Sequence, residues 1–313
     1  MRFGLDDLIG DTLTPLVEES RIYYAARPSG RGPASHAELK QVRAQREAQS
    51  PPLDADAITL EAKADGRAVR VRIIEPADGT ASGVYLHIHG GGFYLDSAGR
   101  DDPRNRELAE TLDMVVASVD YRLAPECPWP AAHNDCETAA LWLIEYAQKH
   151  YGTSNLVIGG FSAGANLAMV TLLRLRARGL GEAFASAALQ FGTYDLSATT
   201  PAGRLIADEY FLDAYVGHVD DRTDPDVSPV FADLGRLPPT LIVVGENDVL
   251  LEDNLALAAR LSAAGNDVDL RIYPQAPHGF TAHRTAVATA ARTDIADWIG
   301  RRRSRPDARQ APE

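Results

Sequence analysis

The chain has 313 residues, of which 45% are hydrophobic and 24% charged, the balance of a globular protein large enough to bury a core without staples. Its 44 acidic side chains against 31 basic ones give a formal charge of −13, which argues against the basic face that a nucleic-acid or anionic-membrane binder needs. The two cysteines, Cys127 and Cys136, are too few for a disulfide framework or a four-thiolate zinc site and read as small packed residues.

The first residues, Met1 to Asp7, lack an apolar signal core, and no run of about 18 apolar residues follows. No membrane span is expected, and the simplest address is the cytoplasm. Within 1–50, Leu5, Leu8, Ile9, Leu13, Leu16, Val17 and Ile22 recur at helical steps. A Pro- and Gly-rich turn spans 28–33. A second helix is predicted from Ser35, as N-cap with Glu38 three residues later, to Gln49. Pro51-Pro52 ends this segment, so 1–54 reads as a unit apart from the rest.

From residue 57 the texture changes. Segments 57–64 and 67–75 are strand-like and are joined by Asp65-Gly66, a hairpin signal. Apolar strands are then predicted at 83–89, 114–119, 156–159, 186–190, 241–245 and 268–273. Helices are predicted at 100–111, 133–149, 163–178, 250–264 and 284–299. Doubly buried strands alternating with helices indicate a mostly parallel sheet covered on both faces. The stretch 194–233 breaks the rhythm and has the length of a lid. The tail 301–313 is polar and reads as disordered.

Gly160-Phe161-Ser162-Ala163-Gly164 fits G-x-S-x-G between a strand and a helix. Such a turn strains the serine backbone and exposes its hydroxyl at a helix N-terminus, so Ser162 is the candidate nucleophile. His89-Gly90-Gly91-Gly92 follows another strand. Its glycines can turn backbone N–H groups into a cavity, as acyl transfer requires for a developing oxyanion, and Ala163 supplies a further N–H. His89 reads as a loop-shaping residue. His87 and His89 form an H-x-H pair, but no further ligand lies at suitable spacing, so no metal is expected.

A serine nucleophile needs a base and an orienting carboxylate, in the chain order Ser, Asp/Glu, His for this strand–helix pattern. After the strand 241–245, Asp248 is the candidate acid, with Glu246 as the fallback. After the strand 268–273, His278 is the candidate base. His283 competes but falls at the start of a predicted helix.

Together these residues resemble the hormone-sensitive-lipase-like branch of the α/β-hydrolases, the bacterial esterases with an HGGG loop. The matching pieces are His89-Gly90-Gly91-Gly92-Phe93, Tyr121-Arg122-Leu123-Ala124-Pro125-Glu126, Pro130-Ala131-Ala132 with Asp135, Gly160 to Gly164, Asp248 and His278-Gly279-Phe280. They span about 55–300. The resemblance implies an α/β-hydrolase fold: an eight-stranded, mostly parallel sheet opening with an antiparallel hairpin, flanked by helices on both faces. It also implies a helical cap made from 1–54 and an insertion at about 194–233. By motif, it makes Ser162, Asp248 and His278 the triad and Gly91, Gly92 and Ala163 the oxyanion donors. Arg122 and Glu126 become structural clamps near the floor of the site. Phe161 and Ala165 depart from the Asp and Gly common in the family, and Asn247-Asp248-Val249 departs from Asp-Pro-Leu.

The implied activity is cofactor-free hydrolysis of a small short- to medium-chain acyl ester. A lactonase, amidase or formamidase would use the same triad. A non-catalytic small-ligand receptor on this fold is the reading from a different class. Dimers are common in the resembled family, so a homodimer is compatible with it. Candidate substrate-binding residues are Phe93, Tyr94, Phe161, Tyr194, Leu205, Ile206, Tyr210 and Phe211, with Tyr23 and Tyr24 as further aromatic candidates. Segment 1–50 is neutral and 301–313 carries +3, whereas 194–233 holds nine acids against two arginines. A cap with that charge is expected to disfavour anionic substrates.

Overall fold

The computed structural model describes residues 9–27, 31–79 and 81–302. The start of the expected first helix, part of the 28–33 turn and most of the expected tail lie outside these residues. Arg301 and Arg302, assigned above to the tail, are the last residues of a helix, Ala286–Arg302.

Asp65 and Gly66 both adopt positive φ (51° and 71°), the geometry that closes a two-residue hairpin. They join β1 (Ile58–Ala64) to β2 (Arg67–Ile74). Six further strands follow: β3 (Val84–Ile88), β4 (Val115–Asp120), β5 (Leu156–Phe161), β6 (Ser186–Gln190), β7 (Thr240–Gly245) and β8 (Val268–Tyr273). The strand order is β1-β2-β4-β3-β5-β6-β7-β8. β1–β2 and β2–β4 are antiparallel and every later pair is parallel.

Alternate residues of each central strand enter opposite cores, as the two-residue period dictates. Val84, Leu86, Ile88, Leu156 and Ile158 face one layer. It includes α4 (Ala131–Tyr151), α5 (Ala163–Ala177) and α8 (Leu251–Ala263). Tyr85, Val116 and Val157 face the other, which includes α3 (Asp102–Leu112) and α9 (Ala286–Arg302).

The N-terminal segment has a 3-10 turn at Asp11–Leu16, then α1 (Val17–Ala25) and α2 (His36–Ala48). The Ser35 hydroxyl caps α2 by accepting from Glu38 N, and the Glu38 carboxylate reaches back to Ala34 N. The excursion between β6 and β7 holds only α6 (Pro201–Leu205), α7 (Tyr210–Val216) and a 3-10 turn at Pro229–Phe231. No described helix is long and apolar enough to cross a membrane.

Candidate active site

β5 runs two residues beyond its expected end, pairing Phe161 with Gln190. The next residue, Ser162, has φ 54° and ψ −121°, a sparsely populated conformation costing about 1–3 kcal/mol. Its amide is pinned to the Gln190 carbonyl at 2.9 Å, and α5 begins at the following residue. The flanking glycines are there because main chain meets main chain. A Cβ on Gly164 would lie 2.1 Å from the Ile88 carbonyl oxygen, and one on Gly160 would lie 2.6 Å from both that oxygen and Gly164 itself. The end of β3 and the first turn of α5 are thus in direct backbone contact.

The loops after β7 and β8 bring two more groups to the same sheet edge. His278 Nε2 stands 2.9 Å from Ser162 Oγ, and His278 Nδ1 stands 3.1 Å from each oxygen of Asp248. An ionised carboxylate only accepts, so Nδ1 carries the proton and Nε2 is left to accept from the serine hydroxyl. The Asp248 side chain is fully buried and also accepts from Leu250 N at 2.8 Å. Glu246 is occupied elsewhere, accepting from the Gln275 amide at 2.7 Å. His283 lies before α9 rather than in it, 3.2 Å from the Tyr24 hydroxyl.

The loop after β3 is held by its histidine. His89 is buried, donates from Nδ1 to the Gly90 carbonyl at 2.8 Å, and stacks on Tyr121 with centroids 4.1 Å apart. Burial holds its pKa below the usual histidine value, so it stays neutral. The Tyr121 hydroxyl donates to the His89 and Gly90 carbonyls. Gly91 has φ 106°, and a Cβ there would sit 2.4 Å from the Leu95 carbonyl, so only glycine fits. The amides of Gly91, Gly92 and Ala163 have no hydrogen-bond acceptor among the described residues.

A cavity of about 400 Å³ opens over Ser162 and His278. Of the eight expected substrate-binding residues, Tyr94 and Phe161 line it. The others do not. Phe93 is buried and stacks on Tyr215 at 4.1 Å. Tyr194 is buried, packed on the Gly192 main chain. Ile206 is buried and Leu205 points into solvent. Tyr210 and Phe211 back the Tyr94 ring, at 6.3 and 6.2 Å. Periodicity marks all of these as apolar but does not say which face of a short helix meets a cavity. The wall also includes Arg46, Asp96, Arg104, Phe191 and Thr281, which come from separate loops and helices and carry no shared motif. None of the nine acids of 194–233 lines the cavity. Glu209 nevertheless stands beside the wall: a Cβ on the lining residue Gly32 would lie 3.3 Å from its carboxylate.

The N-terminal segment is tied to this site by arginines. Arg43 on α2 donates to the carbonyls of Tyr94 (2.9 Å) and Ala124 (2.6 Å) and pairs with Glu126 (2.7 Å). Arg31 pairs with Asp208 and Glu209 of the excursion. Arg122 clamps Asp135 through a guanidinium fork. His87 is paired with Asp101 at 3.0 Å.

A serine raised on a strand–helix turn, a histidine and a buried carboxylate in line with it, and amides without an acceptor among the described residues are the arrangement that serine hydrolases on α/β sheets use. The chain belongs to the alpha/beta hydrolase fold family, which its residues 85–282 match, and within it to the hormone-sensitive-lipase-like branch. It is similar to the carboxylic ester hydrolase LipN of Mycobacterium tuberculosis, 33% identical over 74% of this chain and 65% of the relative. A hyperthermophilic esterase from Pyrobaculum calidifontis superposes with a TM-score of 0.80 at 31% identity, covering 92% of this chain and 98% of that one. A hormone-sensitive lipase from a metagenome library superposes with a TM-score of 0.74 at 30% identity, covering 93% and 98%.

Proposed function

We propose that this protein is a serine carboxylesterase acting on short- to medium-chain acyl esters. The observation that carries the reading is the line Ser162 Oγ, His278 Nε2, His278 Nδ1, Asp248, with links of 2.9 and 3.1 Å. Relatives named as carboxylic ester hydrolases and esterases support it.

In this mechanism Ser162 Oγ attacks the ester carbonyl while its proton passes to His278 Nε2. The carbonyl oxygen becomes an oxyanion and takes hydrogen bonds from the amides of Gly91, Gly92 and Ala163. Asp248 stabilises the imidazolium and fixes its tautomer. Collapse of the tetrahedral adduct breaks the bond to the alcohol oxygen, which leaves with the proton from Nε2. Water then attacks the acyl-enzyme, giving its proton to His278. The acid departs and the proton returns to Ser162. The net change is ester plus water to acid plus alcohol.

In the same reading, 1–54 and 194–233 form the cap, and the cavity of about 400 Å³ suits a small ester. Ser162→Ala should lower kcat on p-nitrophenyl butyrate by about 10⁵-fold or more without changing the melting temperature. Turnover retained in that variant would refute the assignment of the nucleophile.

A further inference from the structure

One cation in the catalytic cavity forms no hydrogen bond or ion pair among the described residues. Arg104 on α3 lines the wall with Ser162 and His278, and its guanidinium makes no hydrogen bond or ion pair with any described residue. It lies over the Phe161 ring, 5.2 Å from the centroid. The nearby acids make their direct contacts elsewhere. Asp101 feels the charge of Arg104 but is hydrogen-bonded to His87, and Asp96 pairs with Arg46 and Arg100.

Arg104 also stands where the catalytic cavity adjoins a second, smaller one of about 140 Å³. Arg104 and Thr281 line both. The side chain of Asn105, buried to 1% exposure, lines this second cavity, and its amide nitrogen has no hydrogen-bond partner among the described residues. The acids of that cavity, Glu107 and Asp297, are exposed side chains, and Glu107 faces Arg292 at 3.9 Å. His283 is held below the usual histidine pKa by burial and by the charges of Arg27 and Arg104, which places positive potential beside the site. A guanidinium with unused donors, next to an unpartnered amide in a recess, suits a group that only accepts hydrogen bonds and carries negative charge.

We propose that Arg104 is a specificity-determining residue that selects esters bearing a carboxylate, the carboxylate docking at the junction of the two cavities while Ser162 attacks the ester. This rests on the esterase reading above and adds the substrate class. The chain's net charge of −13 does not oppose it, since exposed charges are screened beyond about 8–10 Å in physiological salt.

The test uses two pairs of esters matched in size. p-Nitrophenyl hemiadipate against p-nitrophenyl hexanoate puts the carboxylate on the acyl side. The butyrate ester of 4-hydroxybenzoate against phenyl butyrate puts it on the alcohol side. The quantity read is the charged-to-neutral ratio of kcat/KM. In one pair at least, Arg104→Met, which keeps the apolar contact with Phe161, should lower that ratio about tenfold or more through KM. Arg104→Lys, which keeps the charge without the fork, should retain an intermediate ratio. An unchanged ratio in both pairs for Arg104→Met would overturn the proposal and leave the esterase reading intact, and equal losses on charged and neutral esters would assign Arg104 to packing alone. A wild-type protein inactive on all four esters would instead overturn the esterase reading.

Discussion

The strand-end loops and the excursion at 194–233 are held by different forces. At the strand ends, backbone touches backbone: Gly164 lies against Ile88, and Gly91 against Leu95, with no room for one methyl group. The excursion is held by side chains. Asp195 gathers the amides of Ser197, Thr199 and Thr200, Asp226 pairs with Arg174 at 2.6 Å, and exposed Arg31 links it to the N-terminal segment. The groups assigned to chemistry therefore sit on a close-packed frame. The excursion forms a layer whose polar links can be exchanged one at a time.

Three substitutions probe this contrast, from the largest effect to the smallest. Asp248→Asn should lower kcat on p-nitrophenyl butyrate by about 10⁴-fold, because an amide at this position stabilises the wrong histidine tautomer. A change of tenfold or less would show that the carboxylate is not part of the working line. Gly164→Ala forces a Cβ into the Ile88 carbonyl and should cost about 3 kcal/mol or more of stability, read by urea denaturation. A near-neutral effect would mean that the frame yields as readily as the excursion.

Asp253→Asn tests the side-chain-held layer. Asp253 is buried on α8, and desolvation, reinforced by Asp195, raises its carboxyl pKa to about 6 from an ordinary 3.8. Between those values the folded state binds more protons than the unfolded one, so the group costs stability above pH 6 and that stability returns as pH falls towards 3.8. The asparagine variant should be more stable than the parent by about 2 kcal/mol at pH 7, with the gap closing near pH 4. His133 has the opposite sign. Burial between Asn166 and Tyr215 lowers it to about 4, so its contribution is lost as pH falls from about 6.5 to 4. Removing Asp253 should therefore also steepen the acid sensitivity of the melting temperature. A variant that tracks the parent at every pH would show that Asp253 is not buried as described.

The sheet was legible because its strands are short apolar runs bounded by turn residues, and the expected limits of β6 and β8 coincide with the observed ones. Ser162, Asp248 and His278 could be chosen because each follows a readable strand, and the fold brings the three together. The cavity wall was not legible. Arg104 is one of two arginines in the polar helix α3, and nothing in its spacing reveals that it makes no ion pair with a described residue. Phe93 and Tyr194 misled for the converse reason: an aromatic ring near a catalytic motif packs as readily into the core as into a cavity, and both are buried.

The guanidinium of Arg43 gives the N-terminal helix a meaning that its composition does not suggest. It grips the carbonyls of Tyr94 and Ala124, one on the far end of the glycine loop and one on the loop after β4. The change of texture near residue 54 is thus a seam in the sequence and not in the machine. A fragment beginning at residue 55 would own every group assigned to bond-making, yet it would have lost the strut that steadies the glycine loop.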